Sequence, residues 1–232
     1  MELKFASYNI HKAVGTDRRR DADRILTVIR EVGADIIALQ EVDRRFGTRE
    51  SVLPRALIEE QGYEIDPLFM RPTSLGWHGN TILVRREITM IEAAPVHLPM
   101  LEPRGAVRVE LQHEERRLRV VGMHLDLSGL RRRHQIRSVL EDAGRCDPGC
   151  PTVLMGDFNE WSLRGGSMRE FGSAWQVLAP GKSFPSQQPI APLDRIVLSQ
   201  EWECTGHGVH HSAMAAAASD HLPIWATVKL GG

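Results

Sequence analysis

Lysine is scarce in this chain: of 29 basic residues only four, Lys4, Lys12, Lys182 and Lys229, are lysine, and the rest are arginine. Arginine suits bidentate phosphate binding, although a skewed base composition of the genome produces the same bias. Cysteine is scarcer still. Cys146, Cys150 and Cys204 fit no zinc or disulfide spacing, so a reduced compartment is expected. No apolar run approaches the roughly 20 residues of a membrane span. The opening MELKFASYN enters a strand pattern at once, without a charged-then-apolar leader, and the expected location is cytoplasmic. A net charge of −1 supplies no global field for long nucleic acid. Neither a Gly-x-Ser-x-Gly elbow nor a P-loop is present, which removes two common routes to acyl transfer and nucleotide turnover.

What remains is an ordinary globular composition, 42% hydrophobic and 25% charged over 232 residues, enough for an α/β domain. Strand-like runs occupy 3–10, 34–42, 79–86, 106–112, 117–125, 151–158, 193–199 and 222–230. Helical periodicity marks DADRILTVIREVG, where Ala22, Ile25, Leu26, Ile29 and Val32 form one stripe and Gly33 is a C-terminal cap. Further helices are expected at 53–62 and from Leu130 to Ala143, and HEER (113–116) reads as a hairpin link. Segments 161–192 and 201–219, rich in Gly, Ser, Pro and Ala, read as loops, and no low-complexity linker divides the chain. One domain is expected over 1–232.

One pattern repeats. LKFASYN, a helix and ADIIALQE are echoed by LRVVGMH, a helix and PTVLMGDFN. Each unit is a strand ending on a polar residue, a helix, and an apolar strand ending on an acid. The echo predicts that Asn9, Glu41, His124 and Asp157 lie at corresponding strand ends, where α/β proteins build their sites. Asp157 and Asn159 in VLMGDFNE differ by two and share a face of an extended backbone. Gly, Asp and Asn also make turns, but four polar residues at matched offsets exceed what turns require.

Other polar residues flank apolar strands: Asp194 in PLDRIVLS and the pair Asp220-His221 in SDHLPIW. A set rich in Asp, Glu and Asn, without paired cysteines, suits a hard cation such as Mg²⁺ or Mn²⁺. Phosphoester hydrolysis needs such a metal, a group to orient or deprotonate water, and donors for the phosphoryl oxygens.

The stretches SYNIH, ALQEVD, GNTILV, EPRGAV, GMHLD, MGDFNEW, LDRIVLS and SDHLPI, in that order, resemble the endonuclease/exonuclease/phosphatase superfamily of metal-dependent phosphohydrolases. The resemblance implies a four-layer α/β/β/α sandwich with the site at the strand ends. It implies that Glu41 is the main metal ligand, with Asn9 and Asp220 near the same Mg²⁺ or Mn²⁺. Asp157 resembles the residue that orients or deprotonates the attacking water, and Asn159 the one that holds a phosphate oxygen. His221 resembles the phosphate-facing imidazole, with Asp194 fixing its tautomer. His124 matches a further site histidine, while Arg104 and Asn80 resemble substrate-binding positions. Some apurinic endonucleases of the family carry an acid two residues after the first Asn; here that place holds His11, which weakens a two-metal scheme.

The remaining features take plainer readings. The runs Arg18-Arg19-Arg20 and Arg131-Arg132-Arg133 read as solvated surface, with DNA phosphate contacts as the alternative. HGVHH (207–211) reads as a mobile loop and AMAAAAS (213–219) as a flexible approach to Asp220. Trp161 is the tryptophan expected near substrate. The function expected is a metal-dependent phosphodiesterase acting as a monomer on nucleic acid, a phospholipid head group or a small phosphodiester. A phosphomonoesterase and a non-catalytic phosphoester-binding module are the alternatives, and the module requires His221 and Asp194 to lie beyond about 3.2 Å.

Overall fold

The structure is a computed structural model that describes residues 1–99, 104–145 and 149–231. Cys146 and the first two residues of EPRGAV lie outside the described residues. Among the described residues twelve strands form two sheets of six. The first contains β1 (Glu2–Asn9), β2 (Ile36–Gln40), β3 (Tyr63–Ile65), β4 (Asn80–Arg85), β11 (Trp202–Val209) and β12 (Ile224–Leu230). The second contains β5 (Thr89–Val96), β6 (Gly105–His113), β7 (Arg116–His124), β8 (Thr152–Asp157), β9 (Trp175–Leu178) and β10 (Asp194–Ser199). Their orders are β11-β12-β1-β2-β4-β3 and β5-β6-β7-β8-β10-β9. Helices α1 (Ala22–Val32), α2 (Arg55–Glu60) and α4 (Ala213–Ala218) cover the first sheet, and α3 (Gly129–Ala143) covers the second.

This is the four-layer sandwich. Alternation along the strands sends Phe5, Ile36, Ile82, Val107, Val120, Met155 and Ile196 into the layer between the sheets, and sends Tyr8, Ile37, Leu39 and Leu83 under the helices of the first sheet. Helix α1 starts where the Asp21 carboxylate accepts from Asp23 N and Arg24 N at 3.0 and 3.2 Å, and it stops at Gly33 in the left-handed region.

The internal echo is architectural. Parallel β1 and β2 joined by α1 correspond to parallel β7 and β8 joined by α3, at matching places in the two sheet orders. The correspondence is one residue out, however. Gln40 lies opposite Asn9 as Asp157 lies opposite His124, so the counterpart of Asp157 is Gln40 and Glu41 follows the strand. A slip of one residue would turn Glu41 to the other face. Its backbone instead takes φ +60, a conformation that costs a non-glycine residue on the order of 1–3 kcal/mol.

Three expected loops are structured. Segment 161–192 contains β9, HGVHH enters strand β11, and 213–218 is helix α4, capped by Ser212 Oγ accepting from Ala215 N at 3.0 Å. His210 is tied to Glu31 at 2.8 Å. In β11 the Trp225 ring lies over Gly206 and Gly208, where a Cβ at Gly208 would stand 3.2 Å from it. Glycine there makes room for the ring and hides the strand pattern.

Candidate active site

The parallel strands deliver Asn9, Glu41, His124 and Asp157 to one end of the sandwich, and antiparallel β10 brings Asp194 to the same end, directly opposite Asp157. Asp157 is the centre. Its Oδ2 accepts from Asn9 Nδ2 at 3.0 Å, lies 3.3 Å from His124 Nε2 and 3.8 Å from His221 Nε2. Its Oδ1 accepts from Asn159 N at 2.9 Å. Burial would raise this carboxyl, but the two imidazoles and the Asn9 amide outweigh it and hold Asp157 well below the usual carboxylate range.

His221 is buried against the Phe184 ring and faces Asp194, with Nδ1 3.0 Å from Asp194 Oδ2. Burial alone would lower its pKa; the Asp194 and Asp157 carboxylates reverse that and hold it up at about 10. Ser183 Oγ also donates to Asp194 Oδ2. On the other flank, Arg104 donates to the His124 ring. The Asn9 carbonyl amide oxygen takes the His11 N–H at 3.1 Å, so both ends of that amide have partners. Asn159 sits at φ +51 with Nδ2 donating to the Leu125 carbonyl at 2.9 Å. Asp220 is half exposed, 3.7 Å from His11 Nδ1.

Glu41 opens onto a cleft that Lys12, Arg104 and His124 also line. Burial raises its pKa, but the His124 and Lys12 side chains prevail and keep it lowered, and the Lys12 ammonium sits on the carboxylate. Asn80 is buried and does not line the cleft. Its Nδ2 donates to the Trp77 and His78 carbonyls at 3.3 Å each, and the turn so held presents His78 and Gly79 to the cleft wall. Trp161 is 61% exposed.

Sequence reasoning missed the support behind these groups. Glu160, last residue of GDFNE, accepts from Ser162 N, Ser167 N and Ser167 Oγ, and from Arg132 at 3.1 Å. Burial notwithstanding, these donors hold its carboxyl down to about 2. Arg132 is therefore buried and structural, not a solvated member of its basic run. Arg195, fully buried, donates to the Asp194 and Glu160 carbonyls at 3.0 and 3.2 Å, joining β10 to the exit of β8. A charged residue inside the otherwise apolar RIVL run was the available signal. Lys12, directly after SYNIH, was another.

Among the described residues two groups could hold a cation. Asp157, Asp194 and His221 bring ligand atoms within 4.8 Å of one another, but they are bonded among themselves, and a metal would have to part His221 from Asp194. Glu41 is accessible from the cleft, where a divalent ion would take the place that the Lys12 ammonium holds. Its hard oxygens, with Asp220 beyond His11, fit a divalent ion better.

The sequence profile described as the Endonuclease/Exonuclease/phosphatase family matches residues 6–221. The uncharacterized protein YbhP of Escherichia coli (strain K12) is 25% identical over 98% of this chain and 96% of its own length. Among solved structures, the human Nocturnin catalytic domain with bound sulfate superposes with TM-score 0.76 at 19% identity, covering 99% of this chain and 95% of that one. D. rerio TDP2 complexed with a single-strand DNA product gives 0.74 at 15% identity, with 98% and 99% covered. The endonuclease/exonuclease/phosphatase of Bacteroides vulgatus gives 0.77 at 14%, with both chains fully covered. With fold and sequence profile in agreement over nearly its whole length, the chain belongs to the endonuclease/exonuclease/phosphatase family.

Proposed function

We propose that this protein is a divalent-metal-dependent phosphodiesterase in which Asp157 orients the attacking water and His221 meets the phosphoryl oxygens. The observation that carries this reading is the convergence of Asn9, His124 and His221 nitrogens on Asp157 Oδ2. A carboxylate held so strongly ionised is a poor proton acceptor but a fixed hydrogen-bond acceptor, which suits aiming a water. His221, held protonated by Asp194, can donate from Nε2 to a developing phosphoryl charge. Arg104 supplies a further donor on the cleft side, and Asn159 has a second amide hydrogen for a phosphate oxygen. Glu41, with Asp220 and the Asn9 oxygen, would hold Mg²⁺ or Mn²⁺, which supplies neutralising charge for the phosphoryl and leaving oxygens.

The family's members are hydrolases acting on phosphoester bonds, and the sulfate and DNA product named for Nocturnin and TDP2 favour a phosphate-like anion and a diester here. The separation of 3.0 Å between His221 and Asp194 supports the catalytic reading over a non-catalytic module. Hydrolysis of a generic aryl phosphodiester beside its monoester, with Mg²⁺, Mn²⁺ or EDTA, tests the reading. Diester cleavage should require metal and fall by at least about 100-fold in Asp157→Ala, as loss of a positioned catalytic group does. Preference for the monoester would make the protein a phosphatase, and activity untouched by Asp157→Ala would sink the assignment.

A further inference from the structure

The cleft beside Asp157 carries more positive charge than one phosphodiester can use. Among the described residues, Lys12, Arg44, Arg45, Arg49 and Arg104 line it against two carboxylates, Glu41 and Asp43, in a chain whose net charge is −1. Several of these cations have assignments. Lys12 lies on Glu41, Arg44 reaches Glu50 at 3.3 Å, and Arg104 donates to His124.

Arg49 is different. It is half buried in the cleft wall, and among the described residues it makes no ion pair. Its charge is felt at two neighbours. It opposes the burial that lifts Asp43 to about 6, and it adds to the burial that lowers His78. Asp43 lies near it without pairing with it, and its carboxylate oxygens instead take main-chain N–H groups, Leu75 N at 2.7 Å and Gly76 N at 3.2 Å. The Arg49 backbone stands at φ +52, and its carbonyl accepts from Ser74 Oγ at 2.7 Å. A strained backbone, pinned from the neighbouring loop, thus holds Arg49 in the cleft wall that Met70 and His78 also line.

A diester contributes one negative charge, and the proposed machinery already meets it with His221, Arg104 and a divalent ion. The guanidinium fork of Arg49 matches a phosphate that the reacting centre does not account for. We propose that Arg49, flanked by Arg44 and Arg45, is a subsite for a second phosphate carried by the same substrate, so that the preferred substrate is a phosphodiester bearing a further phosphate group. This rests on the phosphodiesterase reading above, and it makes Arg49 a determinant of substrate choice.

The test compares the dinucleotide TpT with its 5′-phosphorylated form pTpT, and with TpTpT, in wild type, Arg49→Ala, Arg49→Gln and Arg49→Lys. Wild type should favour pTpT over TpT by roughly tenfold or more in kcat/KM, mainly through KM, as expected for one charge-assisted pair. The ratio should fall to about one in Arg49→Ala and Arg49→Gln and be partly kept in Arg49→Lys. TpTpT behaving like pTpT would identify a chain phosphate as the natural occupant; TpTpT behaving like TpT would identify a terminal monoester. No preference in wild type, or a preference that survives Arg49→Ala, overturns the subsite. Calorimetric binding of pTpT and TpT by the same proteins separates the two readings. If no diester is cleaved yet pTpT binds more tightly through Arg49, the subsite stands and the phosphodiesterase reading falls.

Discussion

Asp157 keeps its charge in a place where an isolated carboxylate would lose it. Desolvation alone pushes a buried acid toward its neutral form, and the two imidazoles and the Asn9 amide around Oδ2 reverse this. The dependence is mutual, since Asp157 is one of the carboxylates that hold the His221 proton. Replacing Asp157 by Asn keeps the shape and removes the charge. The expected result is a lower His221 pKa, read by NMR titration of the imidazole, together with lost hydrolysis. The folded chain holds this proton more tightly than the unfolded chain does, whose histidines titrate near about 6.5. The His221 contribution to stability is therefore complete below that pH and fades as pH rises through the folded value of about 10. Denaturation midpoints of Asp157→Asn should depend less on pH across that alkaline window. An unchanged His221 titration would show that Asp194 alone sets the proton.

At the scale of elements, Gly156 answers why a glycine precedes Asp157. It stands at φ +158, and a Cβ there would meet the Met123 carbonyl oxygen at 1.9 Å. What approaches so closely is the neighbouring strand β7, not a ligand. Gly156→Ala must then push β8 from β7 where His124 lies opposite Asp157. A loss of at least about 3 kcal/mol in chemical denaturation is expected, at the upper end for overpacking; a native-like midpoint would mean the strands separate cheaply. The elements that carry site residues were legible because their strands are buried on both faces and read as apolar runs. Edge and near-edge elements were not. Strand β5, TMIEAAPV, has no alternation and carries Glu92 and Pro95 on an edge, as edges do to resist pairing. Strand β11 gave its side chains up to Trp225, and α4 is too short and uniform in alanine to show a period. Site residues found by strand ends, such as His124 and Asp157, came together. Arg49 and Glu160 escaped because loop backbone, which leaves no periodic trace, places them.

For the whole molecule, the two β-helix-β units meet face to face, and the candidate site spans the seam. Asn9 comes from the first sheet and Asp157 from the second, joined by a single hydrogen bond of 3.0 Å. The distance between the sheets thus sets the length of that bond. Gly122 of β7 sets it locally: a Cβ there would lie 3.0 Å from Ala38 Cβ and 3.1 Å from the Ile82 side chain, both on the opposing sheet. Alanine at 122 is tighter than comfortable contact and should force the sheets apart by a few tenths of an ångström. Interiors transmit such strain because they are close-packed. Gly122→Ala is therefore expected to cost about 1–3 kcal/mol of stability and to lower kcat more than it raises KM, since it loosens the Asn9–Asp157 bond and leaves the cleft walls intact. Ala38→Gly in the same protein should recover part of both losses by returning volume on the facing strand. Recovery of stability without recovery of kcat would mean that the seam serves folding alone and that the Asn9 bridge does not set the catalytic geometry.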